Sequence, residues 1–228
     1  MSSPLSQKID RVRERIGGAL ERSGRGNENV RIVGVTKTMG HERVLELIRC
    51  GITDIGENRI QEFLEKSERV DLPCNWHLIG TLQRNKAGKA IGRFALIQSL
   101  DSMKLARTLN RLGGEHNQVT RVLVEVNTSG ETTKHGFAPE ETEACIGEIA
   151  ELPYLELAGL MTIGPFTDDT AAQRRAFRSL FDIRGRLERS LSISLPELSM
   201  GMSDDFEIAV EEGATIVRLG RVLLGERG

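Results

Sequence analysis

Two basic side chains stand where a buried β-strand is expected, and both have the chemistry to act on a ligand. Lys37 directly follows the apolar run 30–36, Val-Arg-Ile-Val-Gly-Val-Thr. A lysine at the end of such a strand is either a solvated rim residue or an amine held in a pocket. In a pocket, desolvation lowers the pKa of the amine and frees its lone pair to attack a carbonyl carbon. Arg218 interrupts a second apolar run, 215–219, where a guanidinium needs a partner.

The partner of Arg218 decides its role. A buried guanidinium either forms an internal ion pair or contacts the ring nitrogen of a bound ligand. Because the guanidinium is always charged, it would keep a pyridine nitrogen unprotonated and weaken that ring as an electron sink. Both basic residues are therefore compatible with a structural role and with ligand binding.

Small residues follow the last two apolar runs. The segment 199–205, Ser-Met-Gly-Met-Ser-Asp-Asp, places Ser203 before a helix start, and Gly220 directly follows the run 215–219. Exposed backbone N–H groups at such turns form a cradle for phosphate. The two aspartates argue against a phosphate near their carboxylates, although acidic side chains in a first helical turn also complement the helix dipole.

Hydrophobic spacing predicts eight strands that alternate with helices. The strands cover 30–36, 52–56, 75–80, 94–99, 119–126, 155–162, 197–200 and 215–219. An extra amphipathic helix precedes them, because apolar residues recur every three or four positions over 5–22. This order favours an α/β fold, a closed (β/α)8 TIM barrel, although a doubly wound open sheet shares the alternation. Since no linker or composition shift interrupts residues 1–228, a single domain is predicted.

Three helix starts are predicted, two of them from a residue that favours the first turn of a helix. Residues 57–58 begin the helix after the second strand, and Asp101 caps the helix after the fourth. Pro139 begins the helix after the fifth strand, because a missing N–H costs little at the first helical position.

The carboxyl ends of the strands are where binding and catalytic residues gather in such a barrel. Eight residues that could bind a ligand lie at or near the ends of the predicted strands: Lys37, Asn58, His77, Ser99, Asn127, Met161, Ser203 and Arg218. Each alone reads as a turn residue or a cap, but together they would ring a single mouth. The pattern predicts one binding site there.

Composition excludes several classes of partner. The chain carries 31 basic and 33 acidic residues, for a net charge of −2, and this balance gives no reason to expect nucleic acid or an anionic membrane. No apolar run reaches the roughly 18 residues of a membrane helix, and the first ten residues contain no secretion signal. The three cysteines are widely spaced and form no metal motif. We therefore predict a cytoplasmic protein without a metal site, in which each cysteine is a small buried residue.

Seven segments in the right order resemble the pyridoxal phosphate homeostasis proteins, a family that looks like the barrel domain of alanine racemase standing alone. The segments are Val-Thr-Lys-Thr (35–38), Gly-Glu-Asn (56–58), Trp-His-Leu-Ile-Gly (76–80), Leu-Gln-Arg-Asn-Lys (82–86), Gly-Leu-Met (159–161), Ser-Met-Gly-Met-Ser-Asp-Asp (199–205) and Val-Arg-Leu-Gly (217–220). The match covers nearly the whole chain, so it is far more specific than any one motif.

The resemblance implies a site for pyridoxal 5′-phosphate (PLP) at the predicted mouth. Lys37 would form the Schiff base with PLP, and Arg218 would face the pyridine nitrogen. Ser203 and the backbone around Gly220 would hold the phosphate. No catalytic residue is predicted.

Five further residues complete the predicted cofactor-binding set. Asn58 would lie near the ring, and Met161 would line the pocket. Val35 and His77 belong to the matching segments, and Arg221 would offer its backbone N–H to the phosphate.

The sequence departs from the family pattern at two positions. Thr81 stands where the family usually has proline, and Arg221 stands where it usually has a small hydroxyl residue. The guanidinium of Arg221 would either add a charge contact to the phosphate or point away. Lys134 matches a family lysine suggested to take part in a second, transfer-related binding of the cofactor, and its alternative is a solvated loop residue.

The predicted function follows from what the site lacks. Racemisation needs a base on each face of the substrate α-carbon, and in the racemases the second base is a tyrosine from an additional domain. This chain ends at Gly228, and its one tyrosine, Tyr154, is predicted on the opposite face of the barrel. We therefore expect a monomeric PLP-binding protein that limits the free aldehyde and passes it to apo-enzymes. The alternatives are a weak racemase or other PLP enzyme, and a barrel without cofactor that serves as an interaction surface.

Overall fold

Eight parallel strands close on one another in sequence order in the computed structural model of the protein, which describes residues 3–131 and 135–225. The strands are β1 (Arg31–Val35), β2 (Asp54–Glu57), β3 (Asn75–Leu78), β4 (Leu96–Leu100), β5 (Thr120–Glu125), β6 (Leu155–Met161), β7 (Glu197–Ser199) and β8 (Ile216–Leu219). The last strand pairs with the first, with Val33 opposite Arg218 and Gly34 opposite Leu219. The prediction of a closed (β/α)8 barrel is confirmed, and an open sheet is excluded.

Helices surround the strands and include the extra one predicted at the front. They are α1 (Pro4–Arg22), α2 (His41–Arg49), α3 (Ile60–Ser67), α4 (Met103–His116), α5 (Thr142–Ala150), α6 (Thr170–Leu191), α7 (Phe206–Glu211) and α8 (Arg221–Leu224). A 3₁₀ helix, Arg84–Lys89, lies between β3 and β4. Helix α1 begins where the Ser3 hydroxyl accepts a hydrogen bond from the Ser6 N–H at 3.1 Å. It is fastened to α7, because Arg15 donates to Glu207 at 2.6 Å.

The lumen of the barrel is partly apolar and partly polar. Side chains alternate between the inside and the outside of each strand. A small apolar cluster separate from the main core is made of Val33, Leu96, Leu123, Ala158, Met161 and Ile216. Gln98, Glu125 and Arg218 each stand two residues after a member of this cluster, so they face the lumen too. The larger apolar cluster packs between the strands and the helices.

The three predicted helix starts are wrong by a few residues, because side-chain contacts override the local pattern. Glu57 is the last residue of β2, where its buried carboxylate has partners. Ser102, not Asp101, is the N-cap of α4, and its hydroxyl donates to the Asp101 carboxylate at 3.0 Å. Helix α5 begins at Thr142, whose hydroxyl donates to the carbonyl of Pro139 at 2.7 Å.

Two further expectations concern the burial of the cysteines and the absence of a membrane-spanning helix. Cys50, Cys74 and Cys145 are free thiols, but they are half-buried against the core, so the prediction of buried cysteines is wrong. In the part of the chain that the structure describes, no helix combines the length and the apolar character needed to cross a membrane.

Candidate functional site at the carboxyl ends of the strands

Lys37 and Arg218 lie at the same end of the barrel. Val33 is paired with Arg218, so the continuation of β1 runs beside the end of β8. The ladder extends through Thr36, whose N–H donates to the carbonyl of Gly56 at 3.1 Å. Since Thr36 is directed toward the helices, the alternation places half-buried Lys37 on the side of the mouth. The predicted amine and guanidinium are thus brought together by the pairing of the first and last strands.

A buried polar cluster supports the backbone at Lys37 from behind. The Lys66 ammonium donates to the carbonyl of Thr36 at 2.7 Å and to Glu57 Oε1 at 2.5 Å. The Thr36 hydroxyl donates to the same carboxylate oxygen. Thr38 adopts a left-handed backbone conformation with φ of +63°, and its N–H donates to Glu62 at 2.7 Å. These contacts hold a conformation that is unfavourable for a β-branched residue.

The carboxylate of Glu57 is incompletely satisfied. Burial raises the pKa of Glu57, although the hydrogen bonds and the charge of Lys66 oppose that shift. Its second oxygen, Oε2, is buried and has no hydrogen-bond partner among the described residues. The pair between Glu57 and Lys66 therefore depends on both partners being present.

Arg218 lies just below the mouth and is held by neutral groups. Its Nη1 donates to the Ser199 hydroxyl oxygen at 2.7 Å, and its Nη2 donates to the carbonyl of Thr162 at 2.8 Å. Burial lowers the pKa of Arg218 to about 10, while the charges of Asp205 and Glu125 act in the opposite direction. The guanidinium therefore remains charged at neutral pH, and its contacts leave that charge available to a ligand.

Ser203 and Gly220 meet in the turn beside β1. The Ser203 hydroxyl oxygen accepts a hydrogen bond from the Val222 N–H at 3.2 Å, which joins the turns after β7 and β8. A Cβ placed on Gly220 would lie 3.5 Å from the Cβ of Val35, so this turn is packed against the strand that leads to Lys37. The predicted phosphate donors thus lie beside the strand that leads to the predicted amine.

The two aspartates that argued against a phosphate have protein partners. Asp204 forms an exposed ion pair with the Arg221 guanidinium, which therefore points toward a carboxylate. Asp205 is buried and accepts a hydrogen bond from the Met202 N–H at 2.5 Å, and its burial raises its pKa. Gly201 makes this turn possible, because its φ is +92° and a Cβ there would lie 2.5 Å from the Cβ of Ala209.

A cavity of about 310 Å³ opens at the carboxyl ends of β2, β3, β5 and β6, and its lining does not include Lys37, Arg218, Ser203 or Gly220. It is lined by Asn58, Ile79, Gly80, Thr81, Glu125, Val126, Asn127, His135 and Ile163. Burial and the charge of Asp101 raise the pKa of Glu125 to about 7, against the influence of Arg218 and His135. The carboxyl group of Glu125 therefore keeps its proton to a higher pH than an exposed carboxyl group does.

The remaining predicted residues lie at different depths. Met161 is fully buried in the lumen cluster, and Val35 is buried above it on the path to Lys37. His77 is also buried, and both its ring nitrogens have protein partners, Asp54 and Gln98. Lys134 lies outside the described residues.

Asn58, Ser99 and Asn127 occupy strand ends, as predicted. Asn58 lines the cavity and packs so closely on Gly80 that a Cβ there would lie 2.5 Å from the Asn58 carbonyl oxygen. The Ser99 hydroxyl donates to the Gly80 carbonyl at 2.7 Å, and Asn127 Nδ2 donates to the carbonyl of Glu131 at 2.8 Å. Ser99 and Asn127 thus shape the mouth by holding its loops.

Sequence reasoning missed several residues that shape the site. They are Asp54, Gln98, Glu125, Lys66 and Thr162. Gln98 and Glu125 carried a signal, because each is a polar side chain within an otherwise apolar run. Lys66 carried none, since a lysine on an amphipathic helix normally faces solvent. Among the residues that the structure describes, no group of acidic, histidine and cysteine side chains has the arrangement of a metal site.

The closed barrel of this chain is of the class found in the N-terminal domain of alanine racemase. The family model described as "Alanine racemase, N-terminal domain" matches residues 8–228. A solved alanine racemase from Clostridium difficile superposes with a TM-score of 0.78, covering 98% of this chain and 56% of that chain. At 19% identity, this likeness concerns the fold alone.

Closer relatives narrow the class to one family. The "Pyridoxal phosphate homeostasis protein" of Aquifex aeolicus is 46% identical over 222 residues, covering 97% of this chain and 97% of that protein. The protein of the same name from Homo sapiens is 39% identical over 231 residues, covering 95% of this chain and 84% of that protein. PipY of Synechococcus elongatus, solved with PLP bound, is 31% identical with a TM-score of 0.84, covering 97% of this chain and all of that one. The chain belongs to the pyridoxal phosphate homeostasis protein family, which confirms the resemblance.

Proposed function

We propose that the protein binds PLP as a Schiff base on Lys37 and holds it for intracellular PLP homeostasis and delivery, without efficient catalysis. The observation that carries this proposal is the meeting of Lys37, Arg218 and the turn containing Ser203 and Gly220 at one end of the barrel. The name of the curated relatives and the PLP in the PipY structure support it.

The donor set of the mouth fits each part of the cofactor. When bound, PLP supplies an aldehyde that a lysine amine captures. Lys37 would provide that amine at the rim. The Ser203 hydroxyl and the backbone N–H groups of Gly220 and Arg221 would bind the phosphate, because neutral hydroxyl and N–H groups can donate hydrogen bonds to its oxygens. Arg218 would hold the ring from below, and its charge would keep the ring nitrogen unprotonated.

Two features argue against racemase activity. Tyr154 precedes β6, and its carbonyl accepts a hydrogen bond from the N–H of Thr120, the first residue of β5. The predicted location of this tyrosine, at the end of the barrel opposite to Lys37, is therefore confirmed. Tyr154 cannot act as the second base at the mouth. A charged Arg218 would also weaken the ring as an electron sink.

Spectroscopy and mass analysis test the Schiff base. The protein mixed with PLP should acquire visible absorbance, and borohydride reduction should attach a pyridoxyl group to the peptide that carries Lys37. Lys37→Ala should abolish both signals because it removes the amine. The matched control is Lys89→Ala, which removes an exposed lysine of the 3₁₀ helix and should leave both unchanged. A pyridoxyl mass on any other peptide in the wild type would refute the assignment of Lys37.

Delivery needs a separate experiment. PLP-loaded protein is mixed with an apo-aminotransferase in the presence of a scavenger of free aldehyde. If transfer is direct, aminotransferase activity should recover despite the scavenger. Recovery that the scavenger abolishes would show that the protein merely releases PLP into solution.

Glu125 supports a second candidate, a weak racemase or other PLP enzyme. Its carboxyl group is buried beside the mouth and its pKa is raised to about 7, so it is able to take up and return a proton. The test follows exchange of the α-proton of L- and D-amino acids in D₂O by the PLP-loaded protein. Exchange at about one per second or faster, lost in Glu125→Gln, would favour an enzyme over a carrier.

A further inference from the structure

A chain of hydrogen bonds crosses the lumen from the start of β2 to Arg218. Asp54 Oδ1 lies 2.9 Å from His77 Nε2, and His77 Nδ1 lies 3.0 Å from Gln98 Nε2. The Ser199 hydroxyl donates to Gln98 Oε1 at 2.6 Å and accepts from Arg218 Nη1 at 2.7 Å. The chain therefore connects the first residue of β2 with the guanidinium just below the mouth.

The direction of every bond in this chain follows from two of its contacts. Arg218 can only donate, so Ser199 accepts from it, and the Ser199 hydroxyl donates its own proton to Gln98 Oε1. The amide NH₂ of Gln98 then faces His77, whose Nδ1 must accept. His77 must therefore carry its proton on Nε2 and donate it to Asp54.

The ends and the middle of the chain are suited to keeping this direction. Burial acts to raise the pKa of Asp54, but the hydrogen bond from His77, the charge of Arg31 and the hydrogen bond from Asn75 act against burial and the pKa is lowered overall, so Asp54 stays an acceptor. Gln98 and Ser199 are 0% and His77 1% exposed, so bulk water does not compete for the hydrogen bonds of these side chains. Each member thus determines the orientation of the next.

We propose that Gln98 is a positioning residue for Arg218. It orients the Ser199 hydroxyl so that its oxygen accepts from the guanidinium, and it couples this orientation to the Nε2–H form of His77. Without that acceptor, Arg218 keeps its bond to the Thr162 carbonyl and can turn away from the mouth. The consequence for ligand binding rests on the proposed role of Arg218 toward PLP, whereas the positioning itself does not.

Nitrogen NMR on the cofactor-free protein tests the positioning without PLP. Wild type should show His77 in the Nε2–H form and slow rotation of the Arg218 guanidinium. Gln98→Met should speed that rotation at least several-fold. In Gln98→Glu, the carboxylate still accepts from Ser199, so Arg218 should stay ordered. A wild-type His77 with its proton on Nδ1, or a guanidinium that Gln98→Met leaves unchanged, would overturn the proposal.

Binding measurements extend the test to the ligand. Gln98→Met should weaken PLP binding about tenfold and alter the absorption band of bound PLP, since a misplaced guanidinium no longer fixes the charge state of the ring nitrogen. Gln98→Glu should stay within about threefold of wild type. The control is Gln173→Met, which removes another buried glutamine. Gln173 lies in α6, and its Nε2 donates to the carbonyl of Thr167 at 2.7 Å. It should bind like wild type.

The two conservative variants separate positioning from packing. Equal losses in Gln98→Met and Gln98→Glu, or a similar loss in Gln173→Met, would show that the side chain of Gln98 merely fills space. If Gln98→Met does not fold, Ser199→Ala removes the same acceptor from Arg218 and should give the same faster rotation. If wild type binds no PLP, the proposed function fails, but the rotation of Arg218 still decides whether Gln98 positions it.

Discussion

The arginines at the two ends of the barrel are held in different ways. At the amino-terminal end, Arg31 donates to Glu197 at 3.0 Å, and Arg121 donates to Glu156 at 2.8 Å. Near the mouth, Arg218 donates to a hydroxyl and a carbonyl, and no ion pair of this arginine is found within residues 3–131 and 135–225. The arginines at the amino-terminal end therefore pair with carboxylates, whereas Arg218 near the mouth is hydrogen-bonded to neutral groups.

The difference separates arginines that stabilise the fold from the arginine for which we propose a ligand-binding role. A guanidinium paired with a carboxylate has little field left for a third group. Arg218 feels Asp205 and Glu125 only through their charge, and burial lowers its pKa to about 10. It has already lost its water, so a ligand that approaches from the mouth meets an oriented and charged donor.

The largest expected effect concerns the buried pair behind Lys37. Lys66→Met should cost about 3–5 kcal/mol of unfolding free energy, because Glu57 remains buried without its partner. Replacing both residues, by Lys66→Met with Glu57→Leu, should restore much of the loss. The control at the other end is Arg121→Met, whose partly exposed pair with Glu156 should be worth less than about 1 kcal/mol. Urea unfolding measures all of them, and equal costs at both ends would contradict the comparison.

Glu125 should make stability depend on pH in a defined direction. The folded protein holds this proton more tightly than the unfolded chain, because burial raises the pKa from 4.5 to about 7. The contribution of Glu125 to the free energy of unfolding is therefore fully present below pH 4.5 and is lost as the pH rises from 4.5 to about 7. Glu125→Gln should be more stable than wild type by up to about 3 kcal/mol above pH 7, and the gain should vanish below about pH 4. Unfolding curves that run parallel at all pH values would contradict this assignment.

Arg218→Met compares the two ends directly through ligand binding. It should weaken PLP binding about tenfold or more, because the charged donor below the mouth is lost. Arg121→Met removes an arginine at the other end and should leave PLP affinity unchanged. Absorbance titration measures both, after thermal unfolding has shown that each variant is folded. Comparable losses in the two variants would mean that Arg218 acts on binding through the fold.

The smallest effect is expected for Arg221→Ala. The guanidinium pairs with exposed Asp204, and such pairs contribute less than about 1 kcal/mol. PLP affinity should stay within about twofold of wild type, since the backbone N–H of residue 221 is retained. A tenfold weakening in the same titration would show that the side chain itself contacts the phosphate.

Much of the fold could be predicted because its determinants are local and repeated. Each strand is a short apolar run, and the repetition of strand and helix eight times points to a barrel. The location of Lys37 followed from its place after the first run, and that of Arg218 from an arginine within the last. The helix starts at Glu57, Asp101 and Pro139 failed, because distant partners or neighbouring hydroxyl groups decide them.

Sequence alone thus determined which residues stand at strand ends and to which family the chain belongs. Only the tertiary structure decided which of them meet. Closure pairs the first strand with the last, so that the strand leading to Lys37 lies beside Gly220 and Arg218 from the far end of the chain. It also joined His77 and Gln98 into the chain that ends at Arg218. The physical reason is that a buried polar group must find its partner in space, and the partner's distance along the chain leaves no mark on local hydrophobic periodicity.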